Sequence, residues 1–70
     1  MVNMIYTVLF TAEAEFMVDV EANSEEEARQ KFKNDEASWN TLINAGNSEP
    51  GYVEDPAHDG VIQEIFDERY

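Results

Sequence analysis

Apolar and polar positions change their period along this chain, and each change marks an element. From Met4 to Thr11 the residues Met-Ile-Tyr-Thr-Val-Leu-Phe-Thr are rich in β-branched and aromatic types, apolar on both alternating faces, as in a strand with neighbours on each side. From Glu15 to Glu21 the alternation is clean: Phe16, Val18 and Val20 point one way, Glu15, Asp19 and Glu21 the other, and Met17 is the exception. Ala12, Glu13 and Ala14 between these runs are short enough for a hairpin connection, without the glycine or Asn-Gly pair that would fix its turn type.

The period then becomes helical. Ser24 and Glu27 have the spacing of a capping box, in which the serine hydroxyl accepts from the Glu27 amide and the glutamate reaches back. Glu25, Glu26 and Glu27 also suit the positive end of a helix dipole. A helix is therefore expected from Glu25, carried on by Ala28, Phe32, Trp39, Leu42 and Ile43 near helical spacing and stopped at Ala45-Gly46. Asn34 and Asp35 prefer caps to helix interiors, so two short helices joined there are an alternative to one of about six turns.

Both prolines and two of the three glycines fall between Asn47 and Gly60, which marks a surface loop, with Tyr52 and Val53 as candidates for brief pairing at a sheet edge. Val61 to Asp67 reads as a last strand whose alternation does not say which face is inward. The expected fold is a single α+β domain, β-β-α-β, with one helix packed on a three-stranded antiparallel or mixed sheet. A right-handed crossover puts the last strand beside the first, giving order 2-1-3. Trp39 is expected in the core with Phe32 and Ile43. The other sheet face, carrying Met17, Asp19, Glu21 and part of the first strand, has no element left to cover it and is a candidate partner or dimer surface.

Charge sharpens this picture. Sixteen Asp and Glu against four Lys and Arg give a net charge of -12 on 70 residues, while 43% hydrophobic content is enough for a packed core. Self-repulsion of that size opposes compaction, repels nucleic acid and anionic membranes, and attracts basic proteins, including the grooves in which other proteins hold nucleic acid. Cysteine is absent, which fits a reducing cytoplasm; Met1 to Phe10 lacks the basic start and small-residue cleavage pattern of a signal peptide, and no apolar run is long enough to span a bilayer.

Catalysis is not expected. There is one histidine, no cysteine and no glycine-rich phosphate loop, and Ser24 is better explained as a cap than as a nucleophile. Glu54, Asp55, His58 and Asp59 gather metal-capable side chains in one loop, with Asp55, His58 and Asp59 as the candidate ligands of a metal-binding module. Their spacing matches no EF-hand, zinc finger or His-Glu-x-x-His pattern, and no cofactor is expected.

The run Phe16-Met-Val-Asp-Val-Glu-Ala-Asn-Ser24-Glu-Glu-Glu-Ala28, between an apolar strand and an amphipathic helix, resembles the small phage and mobile-element proteins of the DpnD/PcfM-like group. The resemblance implies a phage or mobile-element origin. Small acidic proteins of that origin include anti-CRISPR and anti-restriction inhibitors, several of which imitate nucleic acid.

Duplex DNA carries one negative charge per roughly 1.7 Å of axis. Alternate strand residues lie about 6.8 Å apart, close to the phosphate spacing of one extended strand. Glu13, Glu15, Asp19 and Glu21 on and beside the second strand, Glu25 and Glu26 at the helix start, and Asp35 and Glu36 are the candidate phosphate-like contacts, with Tyr52 and Tyr70 as aromatic contacts. The partner implied is a basic nucleic-acid-binding host protein, a CRISPR effector before others, bound without direct contact to nucleic acid. The alternatives are a dimeric accessory domain that pairs through its open sheet face, its acidity serving solubility, and the metal-binding module.

Overall fold

The computed structural model describes residues 4–67, so Tyr70 lies outside the described residues. The first two runs form β1 (Met4–Thr11) and β2 (Glu15–Ala22), an antiparallel hairpin in unbroken register from Met4 opposite Ala22 to Thr11 opposite Glu15. That register puts Tyr6, Val8 and Phe10 on the same face as Val20, Val18 and Phe16, and all six are buried.

The capping box forms as its spacing requires. The Glu27 amide donates to Ser24 Oγ at 3.1 Å, and Glu27 Oε1 accepts from the Asn23 amide at 3.0 Å, one residue earlier than the usual partner. The helix so started, α1 (Glu25–Lys33), is only nine residues long and buries only Ala28 and Phe32. It ends in a Schellman motif. The Asp35 amide donates to the Phe32 carbonyl and the Glu36 amide to the Lys31 carbonyl, at 3.2 and 2.8 Å, with Asp35 in the left-handed region at φ 63°.

The long helix through Ile43 is thus corrected, and so is its division into two helices. Beyond the stop comes a strand, β3 (Ser38–Asn44), which pairs with β2. Trp39, Leu42 and Ile43 imitate helical spacing because the strand is interrupted: register passes from Ser38 opposite Asp19 to Ile43 opposite Met17, leaving residues 39–42 against Val18 alone. The Thr41 hydroxyl closes this bulge, accepting from the Asp19 amide at 2.9 Å and donating to the Ser38 carbonyl at 2.7 Å.

Gly46 stops no helix. It lies in the turn after β3, where its amide donates to Asn44 Oδ1 at 2.8 Å, and the chain returns so that Pro50 bridges Ile43. Edge pairing therefore falls on Pro50 rather than on Tyr52 and Val53. Within the expected loop a short helix, α2 (Pro56–Asp59), is capped by Asp55, and the chain ends its described part in β4 (Val61–Asp67), antiparallel to β1.

The sheet is antiparallel with four strands in the order β3-β2-β1-β4, which corrects both the three strands and the order expected from the sequence. The last strand does lie beside the first, and the added strand extends the sheet beyond the second. α1 packs across β2, β1 and β4 on one face. Between helix and sheet the rings of Phe16, Phe10, Phe32 and Trp39 form a continuous row, with successive centroids 5.8, 4.9 and 5.5 Å apart. Trp39 joins the core as expected, but from β3 and only half-buried. Gly60 allows the row to close, since a Cβ there would stand 2.5 Å from the Pro56 carbonyl oxygen and 2.8 Å from the Phe10 ring.

The left-handed Asp35 yields a prediction. Asp35→Gly keeps the Schellman bonds and removes the Cβ clash of that conformation, so it should stabilise the fold by about 1 kcal/mol, a rise of roughly 4–8 °C in a domain of this size. A thermal melt followed by circular dichroism checks it, and an unchanged or lower midpoint contradicts the assignment of Asp35 as the strained cap.

Candidate protein-docking surface

Because side chains alternate along a strand, the residues that do not face α1 form the opposite surface of the sheet. On β2 these are Glu15, Met17, Asp19 and Glu21, whose cross-strand neighbours on β1 are Thr11, Leu9, Thr7 and Ile5. β4 adds Glu64 beside Leu9 and Phe66 beside Thr7, and β3 adds Ile43 beside Met17. No described element packs over this face.

Its chemistry is mixed. Ile5 and Phe66 remain 38% and 40% exposed, and Thr7, Met17, Asp19, Thr41 and Ile43 line a shallow depression of about 400 Å³. Around this apolar centre stand Glu15, Glu21 and Glu64, all exposed. Asp19 is half-buried and accepts from the Thr7 hydroxyl at 3.3 Å, so one of its oxygens already has a donor on the face itself. The three described cations, Arg29, Lys31 and Lys33, all sit on α1, across the sheet from these acids. The exposed Glu15, Glu21 and Glu64 therefore give the open face an acidic rim, with the described lysines and arginine on the other side of the sheet.

The other proposed contacts do not extend this row. Glu25 and Glu26 are exposed in the first turn of α1, and Asp35 and Glu36 lie beyond its other end. Glu13 and Tyr52 meet elsewhere, lining a separate cleft at the hairpin end with Phe16, Glu54 and Asp59. Tyr52 is 81% exposed there. Glu15, Asp19 and Glu21 are thus the members of the proposed set that share the open sheet face. Sequence reasoning placed part of the first strand on this face without naming Thr7 and Leu9, and it missed Ile43, Glu64 and Phe66. The hairpin register could have supplied the β1 pair, but the β3 and β4 residues depend on pairings that the sequence did not reveal.

In the loop, Asp55 uses its carboxylate as the α2 cap, accepting from the His58 amide at 3.3 Å. His58 Nδ1 lies 2.9 Å from Asp59 Oδ1, and the pair is exposed. The hydrogen bond to Asp59, then the charges of Asp59 and Asp55, raise the His58 pKa above its ordinary 6.5. Among the described residues no three His, Asp or Glu side chains are placed to hold one metal ion, and no helix is long and apolar enough to cross a membrane.

Comparison with known protein families, with curated protein sequences and with solved structures found nothing that matches this chain.

Two outcomes test this local geometry. Thr41→Val keeps the shape of the bulge but leaves the half-buried Asp19 amide without its acceptor, so unfolding in urea should require about 1–3 kcal/mol less, with faster hydrogen exchange at Asp19. Asp59→Asn removes the largest cause of the His58 shift, so the imidazole should titrate closer to 6.5 when followed by its proton resonances. The sign for stability follows from the raised folded value: the pair's contribution is fully present below pH 6.5 and is lost as pH rises through the folded pKa. In Asp59→Asn this loss should diminish.

Proposed function

We propose that this chain is a binding protein that occupies the basic nucleic-acid groove of a host defence protein, a CRISPR effector before others, by presenting carboxylates where phosphates would sit. The observation that carries the reading is the alternation of Glu15, Asp19 and Glu21 along β2 on a sheet face that no described element covers, with every described cation on the far side. Glu15 and Glu21 act as exposed charges toward Arg and Lys of the partner. Asp19 sits nearer the apolar centre, where Leu9, Met17 and Ile43 exclude water from the contact. A phage or mobile-element origin, implied by the resemblance of Phe16 to Ala28, supports the same class of partner.

Charge also weighs against pairing of this face with a second copy. A two-fold contact brings Glu15, Glu21 and Glu64 of each copy against the same residues of the other, and like charges brought together in this way oppose association. The exposed Ile5 and Phe66 favour burial of the face as such, so the dimeric accessory domain is the second reading.

The deciding experiment uses purified CRISPR effector complexes and target DNA in a mobility-shift assay, with sedimentation of the chain alone. The expected result is a monomer that displaces DNA, less effectively as salt rises, and that loses at least about tenfold in potency as Glu15→Gln/Asp19→Asn/Glu21→Gln with its circular dichroism unchanged. Equal potency of the triple variant removes the mimicry. A stable dimer abolished by Phe66→Glu establishes the accessory domain in its place.

A further inference from the structure

In a chain with four times as many acids as bases, a cation without a carboxylate partner is unexpected. Lys31 behaves as charge balance requires, lying 3.8 Å from Glu27 Oε1 and donating to the Glu21 carbonyl at 2.8 Å. Arg29 and Lys33 do not: among the described residues neither makes an ion pair. They stand four positions apart on α1, hence on one side of the helix, and both line a cleft of about 470 Å³ between α1, α2 and the start of β4. The Phe32 ring, Gly60 and the backbone at the start of β4 form part of its lining, Ile62, paired with Phe10 on the helix side of the sheet, supplies apolar surface, and His58 of α2 lines the same cleft.

A cleft of several hundred Å³ in which polar groups converge beside apolar surface is a common form of small-molecule site. Here those groups point to an anion. An arginine offers two parallel N–H donors, matched to a phosphate edge, and a lysine adds a point charge. The acidic surplus opposes an anion less than the net charge suggests, because exposed charges more than about 8 Å away are largely screened at physiological ionic strength. Asp59 and Asp55 lie close to His58 and offset its charge, so Arg29 and Lys33 carry the attraction.

From this arrangement we infer that the α1–α2 cleft binds a phosphate monoester group, as free phosphate or as part of a mononucleotide whose base lies on Ile62. The site is on the opposite side of the sheet from Glu15, Asp19 and Glu21, and it stands whether or not the open face docks on a basic partner.

The test is an amide-resonance NMR titration of the intact chain with adenosine 5′-monophosphate, inorganic phosphate and, at matched ionic strength, chloride. Saturable shifts should appear at Arg29, Lys33 and Ala57 to Ile62, with a dissociation constant on the order of 1 mM, the strength of about two charge-assisted hydrogen bonds. Arg29→Gln/Lys33→Gln, which keeps much of each side-chain stem, should weaken binding by at least about tenfold, while Lys31→Gln should leave it unchanged. Tighter binding of the nucleotide than of phosphate assigns a nucleotide site, and equal binding a phosphate site. Shifts that chloride reproduces, or that survive the double substitution, overturn the inference.

Discussion

The ring of Phe32 is the contact on which this fold depends. A nine-residue helix is about 13 Å long, whereas an eight-residue strand runs about 27 Å and three inter-strand gaps span about 14 Å. So short a helix cannot cover such a sheet with aliphatic side chains, and α1 turns only Ala28 and Phe32 fully inward. Large rings from the sheet make up the difference. Phe10, backed by Phe16, meets Phe32 from the hairpin, Trp39 meets it from the bulged strand, and Gly60 gives up its side chain so that Phe10 and Phe32 can approach α2. The bulge in β3 and the tight turn into β4 both follow from feeding this row of rings.

One layer of helix also leaves a charge asymmetry. Every described cation is on α1, where Lys31 helps to hold the helix to the end of β2. The uncovered face keeps acids at alternate β2 positions around an apolar centre. A partner for that face must be basic at its rim and apolar in its middle, a narrower requirement than net charge alone would set. Asp19 illustrates the compromise: its amide is fixed by Thr41 and its carboxylate by Thr7, so it offers charge with little freedom to move.

The hairpin, the capping box and the apolar helix face were legible in the sequence because each rests on local chemistry: period-two alternation, a serine three residues before a glutamate, and Ala28 and Phe32 one turn apart. What was misread lies after Asn34. Asp35 in the left-handed region gives a full helix stop without the glycine that normally marks one, and the four residues set against Val18 turn a strand's alternation into helical spacing. The two have different origins: the Asp35 stop is local, held by Schellman bonds at a residue already suited to a cap, whereas the β3 bulge is held by the long-range bond from the Asp19 amide to Thr41. The open face was anticipated from β2, whereas its width was not, since Ile43, Glu64 and Phe66 reach it only through long-range pairing.

Pro50 has a consequence for how this sheet can grow. The bonds from the Asn44 amide to the Glu49 carbonyl and from the Gly51 amide to the Leu42 carbonyl flank the Ile43–Pro50 bridge, so the Pro50 nitrogen faces away from β3. Any other residue there would offer a donor to an incoming strand, and proline offers none. The bulge spoils the rest of that border, and at the other border β4 carries an extra residue of its own, Gln63, between the Phe10–Ile62 and Leu9–Glu64 pairs. Polymerisation by strand addition needs two competent borders on every molecule, and in the described sheet a proline and a bulge interrupt one border and a bulge the other, so end-to-end sheet fusion is opposed at both.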